Sequence, residues 1–302
     1  MRRLLSLGLL GFLLSCQAPE TKDSIQIVCT TGILGDLVAE LVEGIDSVEV
    51  HSLMGPGTDP HLYKASQGDV FLLSKGDLII YHGLHLEGKM QTVLEKLDEG
   101  KVYAAAEALN PQKLIQVSDY DNTYDPHVWF DLKLWAELSL NLQSRLVKMF
   151  PDQKALLKSN AHRYRKTLDS LHNWATTKIK EIPENQRVLI TAHDAFKYFG
   201  AAFNIEVRGL QGISTTAEFG IRDVSDLANF ISEQKIPAIF VESSVSPRAI
   251  EAVIEASGRK GHELHLGGEL YSDALGEAKT TEGHFTGMFI HNVNTISEAL
   301  KK

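Results

Sequence analysis

The chain has 302 residues, 43% hydrophobic and 23% charged, a globular composition that excludes long disorder and collagen-like fibre. Its length points to about two domains. Lys and Arg total 30 against 39 Asp and Glu, a formal net charge of −9, which gives no support to electrostatic binding to nucleic acid, a function that needs a basic face.

Arg2 and Arg3 precede an apolar run, Leu4 to Leu14, shorter than the roughly 20 residues that span a bilayer and placed like a secretory leader. The run closes in Leu13-Leu14-Ser15-Cys16, which resembles a lipoprotein signal-peptidase box. Residues 1–15 are therefore read as a signal peptide, Cys16 as the lipidated first residue, and residues 16–24 as a polar tether. With Cys16 carrying lipid, Cys29 has no partner for an intramolecular disulfide. Its setting, Ile25-Gln26-Ile27-Val28-Cys29, fits a small buried hydrophobe better than a reactive thiol. No later segment is apolar for long enough to cross a membrane, so a soluble body held at a membrane is expected.

Strand-like runs follow at Ile25–Cys29, Val48–Leu53, Leu78–Tyr81 and Lys101–Ala104, with helical stretches at Gly35–Val42, Asp69–Leu73 and Lys89–Leu97. Pro151–Pro183 has no internal Gly or Pro. Its apolar residues Leu157, Ala161, Tyr164, Leu168, Leu171, Ala175 and Ile179 recur in steps of three or four, the stripe of one amphipathic helix. Beyond it the alternation resumes with a strand at Val188–Thr191, a helix at Ala195–Phe203, and strands at Ile205–Val207, Ala238–Val241 and His262–His265. Alternating β and α predicts an α/β fold with parallel sheets. The expected domains are an N-terminal lobe over residues 25–150, a linker helix over 151–183 and a C-terminal lobe over 184–302. A faint duplication supports this division. A strand leads into a helix at Thr30-Thr31-Gly32 and again at Thr191-Ala192-His193, and each helix precedes a short strand and a loop, Met54-Gly55-Pro56-Gly57 and Gly209-Leu210-Gln211-Gly212.

Twelve histidines are present, and three sit in polar, loop-like settings at apparent strand ends. His61 ends Asp59-Pro60-His61, His127 ends Asp125-Pro126-His127, and His193 lies in Thr191-Ala192-His193-Asp194. Proline stiffens the backbone beside the imidazole, and the aspartate can accept a turn or ring hydrogen bond. The three are too far apart for a local zinc-finger motif, so only the fold could assemble them. His162 and His172 on the long helix read as solvated, and His51, His262 and His265 as strand or strand-end residues. His82 and His85 read as structural rather than as a secondary metal pair. His284 and His291 fall in the C-terminal segment, and neither is counted as a ligand, although the chain could bring His284 toward the cleft.

These residues lie within six ordered motifs. Four are Gly55-Pro56-Gly57-Thr58-Asp59-Pro60-His61, Gly83-Leu84-His85-Leu86-Glu87, Asp125-Pro126-His127-Val128-Trp129 and Ala192-His193-Asp194-Ala195-Phe196-Lys197-Tyr198-Phe199. The other two are Gly209-Leu210-Gln211-Gly212-Ile213-Ser214-Thr215 and Gly267-Gly268-Glu269-Leu270-Tyr271-Ser272-Asp273-Ala274-Leu275-Gly276. Over nearly the whole mature chain the sequence resembles the cluster A-I (TroA-like) zinc/manganese solute-binding lipoproteins of ABC transporters. The resemblance implies two α/β lobes joined by one long rigid helix, with a metal site in the interlobe cleft. His61 and His127 would come from the first lobe, and His193 and Asp273 from the second. It implies one Zn2+ or Mn2+ per chain as transported ligand, an ABC permease with its ATPase as partner, and a monomer anchored outside the cytoplasm through Cys16. No reaction is expected.

Neutral imidazoles with one carboxylate suit a divalent first-row metal. Asp59, Asp125, Asp194 and Glu242 are candidates to orient the imidazoles. Some manganese-dedicated relatives have a carboxylate where this chain has His193, which tilts preference toward zinc. Yet Asn110–Tyr124 lacks the histidine-rich insertion common among dedicated zinc relatives, so manganese stays close behind. Two other functions use the same residues. A secreted zinc hydrolase would need an open metal position and a general base, and no His-Glu-x-x-His or Gly-x-Ser-x-Gly run is present. A surface adhesin would use the metal only to stabilise its fold.

Overall fold

The structure, a computed structural model, describes residues 24–117, 123–216 and 219–301. Cys16 and the leader lie outside the described residues.

In the first half, β1 (Ile25–Thr31), β2 (Val48–Met54), β3 (Leu78–Tyr81) and β4 (Val102–Ala104) form a parallel sheet in the order β2-β1-β3-β4. The crossovers carry α1 (Gly32–Val42), α2 (Gln67–Lys75) and a single turn, α3 (Gln91–Leu94). Thr31 ends β1 and starts α1, its Oγ1 accepting from Leu34 N at 3.3 Å. A capping box between Ser66 and Asp69 starts α2. α1 buries Ile33, Leu34, Leu37, Val38 and Leu41, one face of a 3.6-residue period. Cys29 is fully buried beneath it, as the sequence led one to expect.

Two helices then pack as a hairpin, α4 (Leu132–Met149) and α5 (Lys154–Lys180). α5 corresponds to the expected long helix, with 3₁₀ turns at Pro151–Gln153 and Glu184–Gln186 flanking it. At 27 residues it is about 40 Å long. Every residue of the expected stripe is buried, and Asn160 joins them.

The second half contains β5 (Val188–His193), β6 (Glu206–Gln211), β7 (Ala238–Glu242) and β8 (His265–Leu270), paired in parallel as β5-β6 and β7-β8, with β5 beside β7. The resulting sequence β6-β5-β7-β8 repeats β2-β1-β3-β4, so the faint duplication is architectural. The helices are α6 (Lys197–Phe203), α7 (Ile221–Gln234), α8 (Arg248–Arg259) and α9 (Phe285–Leu300).

Differences from expectation have local causes. β6 runs through Gly209, expected in a loop. A Cβ there would lie 2.5 Å from the His193 carbonyl carbon and from Asp194 N, so glycine lets the strand pass the end of β5. β8 begins where a strand was expected to end, and within it Gly267 lies against Phe240, whose ring a Cβ would meet at 2.5 Å. α4, α7, α8 and α9 have no counterpart among the expected elements. On α9 the buried face includes Gly287, Asn292 and Ser297, which dilute the apolar period.

The main hydrophobic core is continuous from α1 through α4 and α5 to α6 and α9. Asn160 on α5 donates to Leu41 O and Glu43 O at the end of α1 (3.1 and 2.9 Å), and Trp135 on α4 donates to Tyr164 Oη at 3.0 Å. Further along α5, the His172 ring meets Phe203 of α6 at 5.3 Å, so His172 is half-buried rather than solvated, whereas His162 is exposed. α5 thus shares one core with both lobes.

Candidate metal centre

The C-terminal ends of the parallel strands face the cleft, the usual siting of ligands in open α/β sheets. His61 lies in the loop after β2. Asp59 shapes it as an Asx turn, Oδ1 accepting from His61 N at 2.8 Å. The second Asp-Pro-His triplet folds alike, with Asp125 Oδ1 accepting from His127 N at 2.9 Å. Here the same oxygen also lies 2.7 Å from His127 Nδ1 and fixes the ring. His193 is the last residue of β5. Its N donates to Glu242 Oε1 at 2.8 Å, and Glu242 Oε2, at the end of β7, lies 2.6 Å from Nδ1. Asp273 follows β8, held where Trp129 Nε1 donates across the cleft to Ser272 O at 3.0 Å.

These four side chains converge. His61 Nε2 and His127 Nε2 are 3.3 Å apart, His127 Nε2 is 3.4 Å from Asp273 Oδ1, and His193 Nε2 is 3.4 Å from Asp273 Oδ2. One donor atom from each lies within 4.8 Å of all the others. An ion with bonds of about 2.0–2.1 Å in tetrahedral geometry needs donors about 3.3–3.4 Å apart, so the short separations already match the edges of such a site. All four residues are buried, none more than 3% exposed.

The four side chains form a buried cluster of coupled titratable groups. Asp125, Glu242 and Asp273 are buried carboxylates, costly unless countered by positive charge. Among the described residues, Asp125 Oδ2, Asp273 Oδ1 and both ring nitrogens of His193 make no well-aligned hydrogen bond, and Glu242 Oε2 meets Nδ1 as a close ion-pair contact. Burial disfavours charge on His193 and His127. Glu242 and Asp273 nevertheless hold His193 well above its usual value, and Asp125 and Asp273 raise His127. Burial would raise Asp273, but His193 and His127 outweigh it and keep its carboxyl well below the usual range. Burial lowers His61 to about 3, outweighing the opposing pull of Asp273. The carboxylates Asp125, Glu242 and Asp273 thus favour positive charge at His127 and His193.

The orienting candidates divide. Asp125 and Glu242 orient imidazoles directly. Asp59 holds the His61 backbone, and its Oδ2 accepts from Thr215 Oγ1 at 2.6 Å. Asp194 instead accepts from Gly209 N at 2.9 Å and pairs with Lys197 at 3.0 Å, a structural role. The remaining histidines stay out of the cluster. His82 is buried, donates to Pro126 O at 2.6 Å and packs edge-on against Trp129. It thereby supports the His127 turn, and burial lowers its pKa to about 3. His85 is exposed. His284 turns to Asp36 of α1, 2.8 Å from Nδ1, and does not approach the site. The Gly83-Leu84-His85-Leu86-Glu87 motif is structural, because Glu87 accepts from His82 N, Gly83 N and Thr30 Oγ1. Tyr198 was not singled out in the sequence, yet its Oη accepts from Ile115 N and donates to Asp125 O, both at 3.0 Å, bracing the His127 turn from the opposite lobe.

A family profile described as "ZnuA: Zinc-uptake complex component A periplasmic" matches residues 27–299. The manganese-binding lipoprotein MntA of Bacillus subtilis (strain 168) is 49% identical over 278 residues, covering 92% of this chain and 90% of that protein. The zinc-binding protein TroA of Treponema pallidum (strain Nichols) is 42% identical over 277 residues, covering 91% and 89%. The solved structure of the periplasmic zinc-binding protein TroA from Treponema pallidum superposes with a TM-score of 0.89, covering 92% of this chain and all of that one.

Proposed function

Because the chain belongs to the ZnuA family of periplasmic zinc-uptake components, we propose that it captures Zn2+ or Mn2+ outside the cytoplasm and hands the ion to an ABC permease driven by its ATPase. The ion is cargo, and nothing is catalysed. His61, His127, His193 and Asp273 are the ligands, one ion per chain. The observation that carries this reading is the buried convergence of three imidazole nitrogens and one carboxylate, drawn from both lobes, within 4.8 Å. The carboxylates around it support binding rather than hydrolysis, since Asp125 and Glu242 are engaged on the imidazoles instead of standing free as a general base. The relatives' names supply the metals: manganese for MntA and zinc for TroA. Three imidazoles favour zinc on affinity at equal supply, so cargo is decided by competition and by uptake in cells.

The division into a leader over 1–15, a lipidated tether over 16–24, lobes over 25–150 and 184–302, and a linker helix over 151–183 is part of the same proposal. So are monomeric delivery and anchoring through lipid on Cys16. Metal analysis of the protein purified without an affinity tag, followed by zinc and manganese competition on the chelated protein, tests the core of it. One equivalent per chain, lost in His61→Ala and His193→Ala, is the expected result. No stoichiometric binding of either metal would refute it.

A further inference from the structure

The three imidazoles are held differently. His127 and His193 each have Nδ1 fixed by a carboxylate of their own lobe, Asp125 and Glu242. Among the described residues, no carboxylate pairs with the His61 ring. His61 is set through its backbone, whose N–H donates to Asp59 Oδ1 at 2.8 Å. The other oxygen of that carboxylate, Oδ2, belongs to a second contact, accepting from Thr215 Oγ1 at 2.6 Å. Thr215 lies in the loop after β6, on the opposite lobe. A single carboxylate therefore ties the main chain of one metal ligand to the far side of the cleft.

The loop that carries this tie lies at the surface. Gly55, Pro56 and Gly57 are exposed. A Cβ at Gly55 would meet nothing within 4 Å, and Gly57 has φ +66°, a conformation that favours glycine. A Cβ at Gly57 would lie 3.3 Å from Ser243 O, so the loop rests on the second lobe without being buried in it. By contrast, the contacts from Tyr198 to Ile115 and Asp125, and from Trp129 to Ser272, involve buried aromatic side chains.

We propose that Thr215 is a positioning residue for metal retention: through Asp59 it holds His61 on the ion, and His61 is the ligand surrendered first when this contact opens. The inference rests on the metal-capture reading above. Release then needs only a local lift of the 55–61 loop, and a permease that competes for Asp59 or Thr215 would trigger it.

The test uses the full chain purified in detergent and loaded with Zn2+, with release into excess chelator followed by stopped flow. Thr215→Val, which keeps the side chain's shape and removes the donor, should release zinc about 10-fold faster, the scale of a lost hydrogen bond to a charged group. Thr215→Ser should restore the wild-type rate. Asp59→Asn should also release faster, and combining it with Thr215→Val should add little further acceleration. Cobalt-loaded Thr215→Val should keep the wild-type visible spectrum, because the ligand set of the closed state is unchanged. Release from Thr215→Val at the wild-type rate, or failure of Thr215→Ser to rescue, would overturn the proposal. A wild-type chain that takes up no zinc would instead overturn the reading on which it rests.

Discussion

At the scale of single residues, the two Asp-Pro-His triplets show what sequence could and could not convey. Both fold as the same Asx turn, which the motif predicts. They differ in where the aspartate's free capacity goes, to its own histidine ring at Asp125 and to Thr215 at Asp59, and this depends on residues far away in the chain. Glu242 was among the orienting candidates, but its target could not be read locally; it reaches His193 because β7 lies beside β5. Asp125→Asn and Glu242→Gln should each weaken zinc binding about 10- to 100-fold while leaving one equivalent bound at saturation, as read by chelator competition. Affinity equal to wild type would separate these carboxylates from ligand orientation. pH dependence follows from the same pairs. His127 and His193 are raised above the usual histidine range, so metal must displace their protons, and affinity should fall as pH falls. Calorimetry in buffers of different ionisation enthalpy should show up to about two protons released per ion. For the metal-free protein, a raised imidazole pKa contributes stability below the unfolded value, and this is lost as pH rises through the folded value. Its melting temperature should therefore decline on the alkaline side, while the metal-loaded protein is spared.

At the scale of elements, α5 was the most legible feature because a long run without Gly or Pro lets the 3.6-residue period speak. The stripe named all its buried apolar positions but omitted Asn160, whose side chain caps the end of α1. A polar residue on a buried face carries no hydrophobic signal. Short strands were legible in position but less so in length, since glycines that read as loop signals proved to be close-packing points at Gly209 and Gly267. The helix pair makes a direct prediction. Tyr164→Phe leaves Trp135 Nε1 buried without its acceptor and should destabilise the fold by about 1–3 kcal/mol. Leu168→Ala removes a side chain only 1% exposed and should cost about 2–5 kcal/mol. Urea unfolding measures both, and metal stoichiometry should survive either change.

At the scale of the whole molecule, the proposed ligand set spans both lobes while the core runs unbroken through α5. A metal bound there would act as a cross-brace. A saturating ion at about 1,000 times its dissociation constant should add about 4 kcal/mol to stability, visible as a higher melting temperature that returns to baseline on chelation. The shared core also predicts a small difference in shape between loaded and stripped protein. Solution scattering should give nearly equal radii of gyration, whereas a wide opening would contradict the stiffness attributed to α5.

Cys29 gives this molecule a clock. Its thiol is fully buried under α1, and desolvation pushes its pKa up, so a thiol reagent gains nothing from ordinary surface fluctuations. Labelling of Cys29 therefore counts events in which the first sheet parts from its helix. If local loop movements exchange the ion, zinc can leave many times between such events. The rate of dye attachment and the rate of metal loss would then be independent observables from one chain.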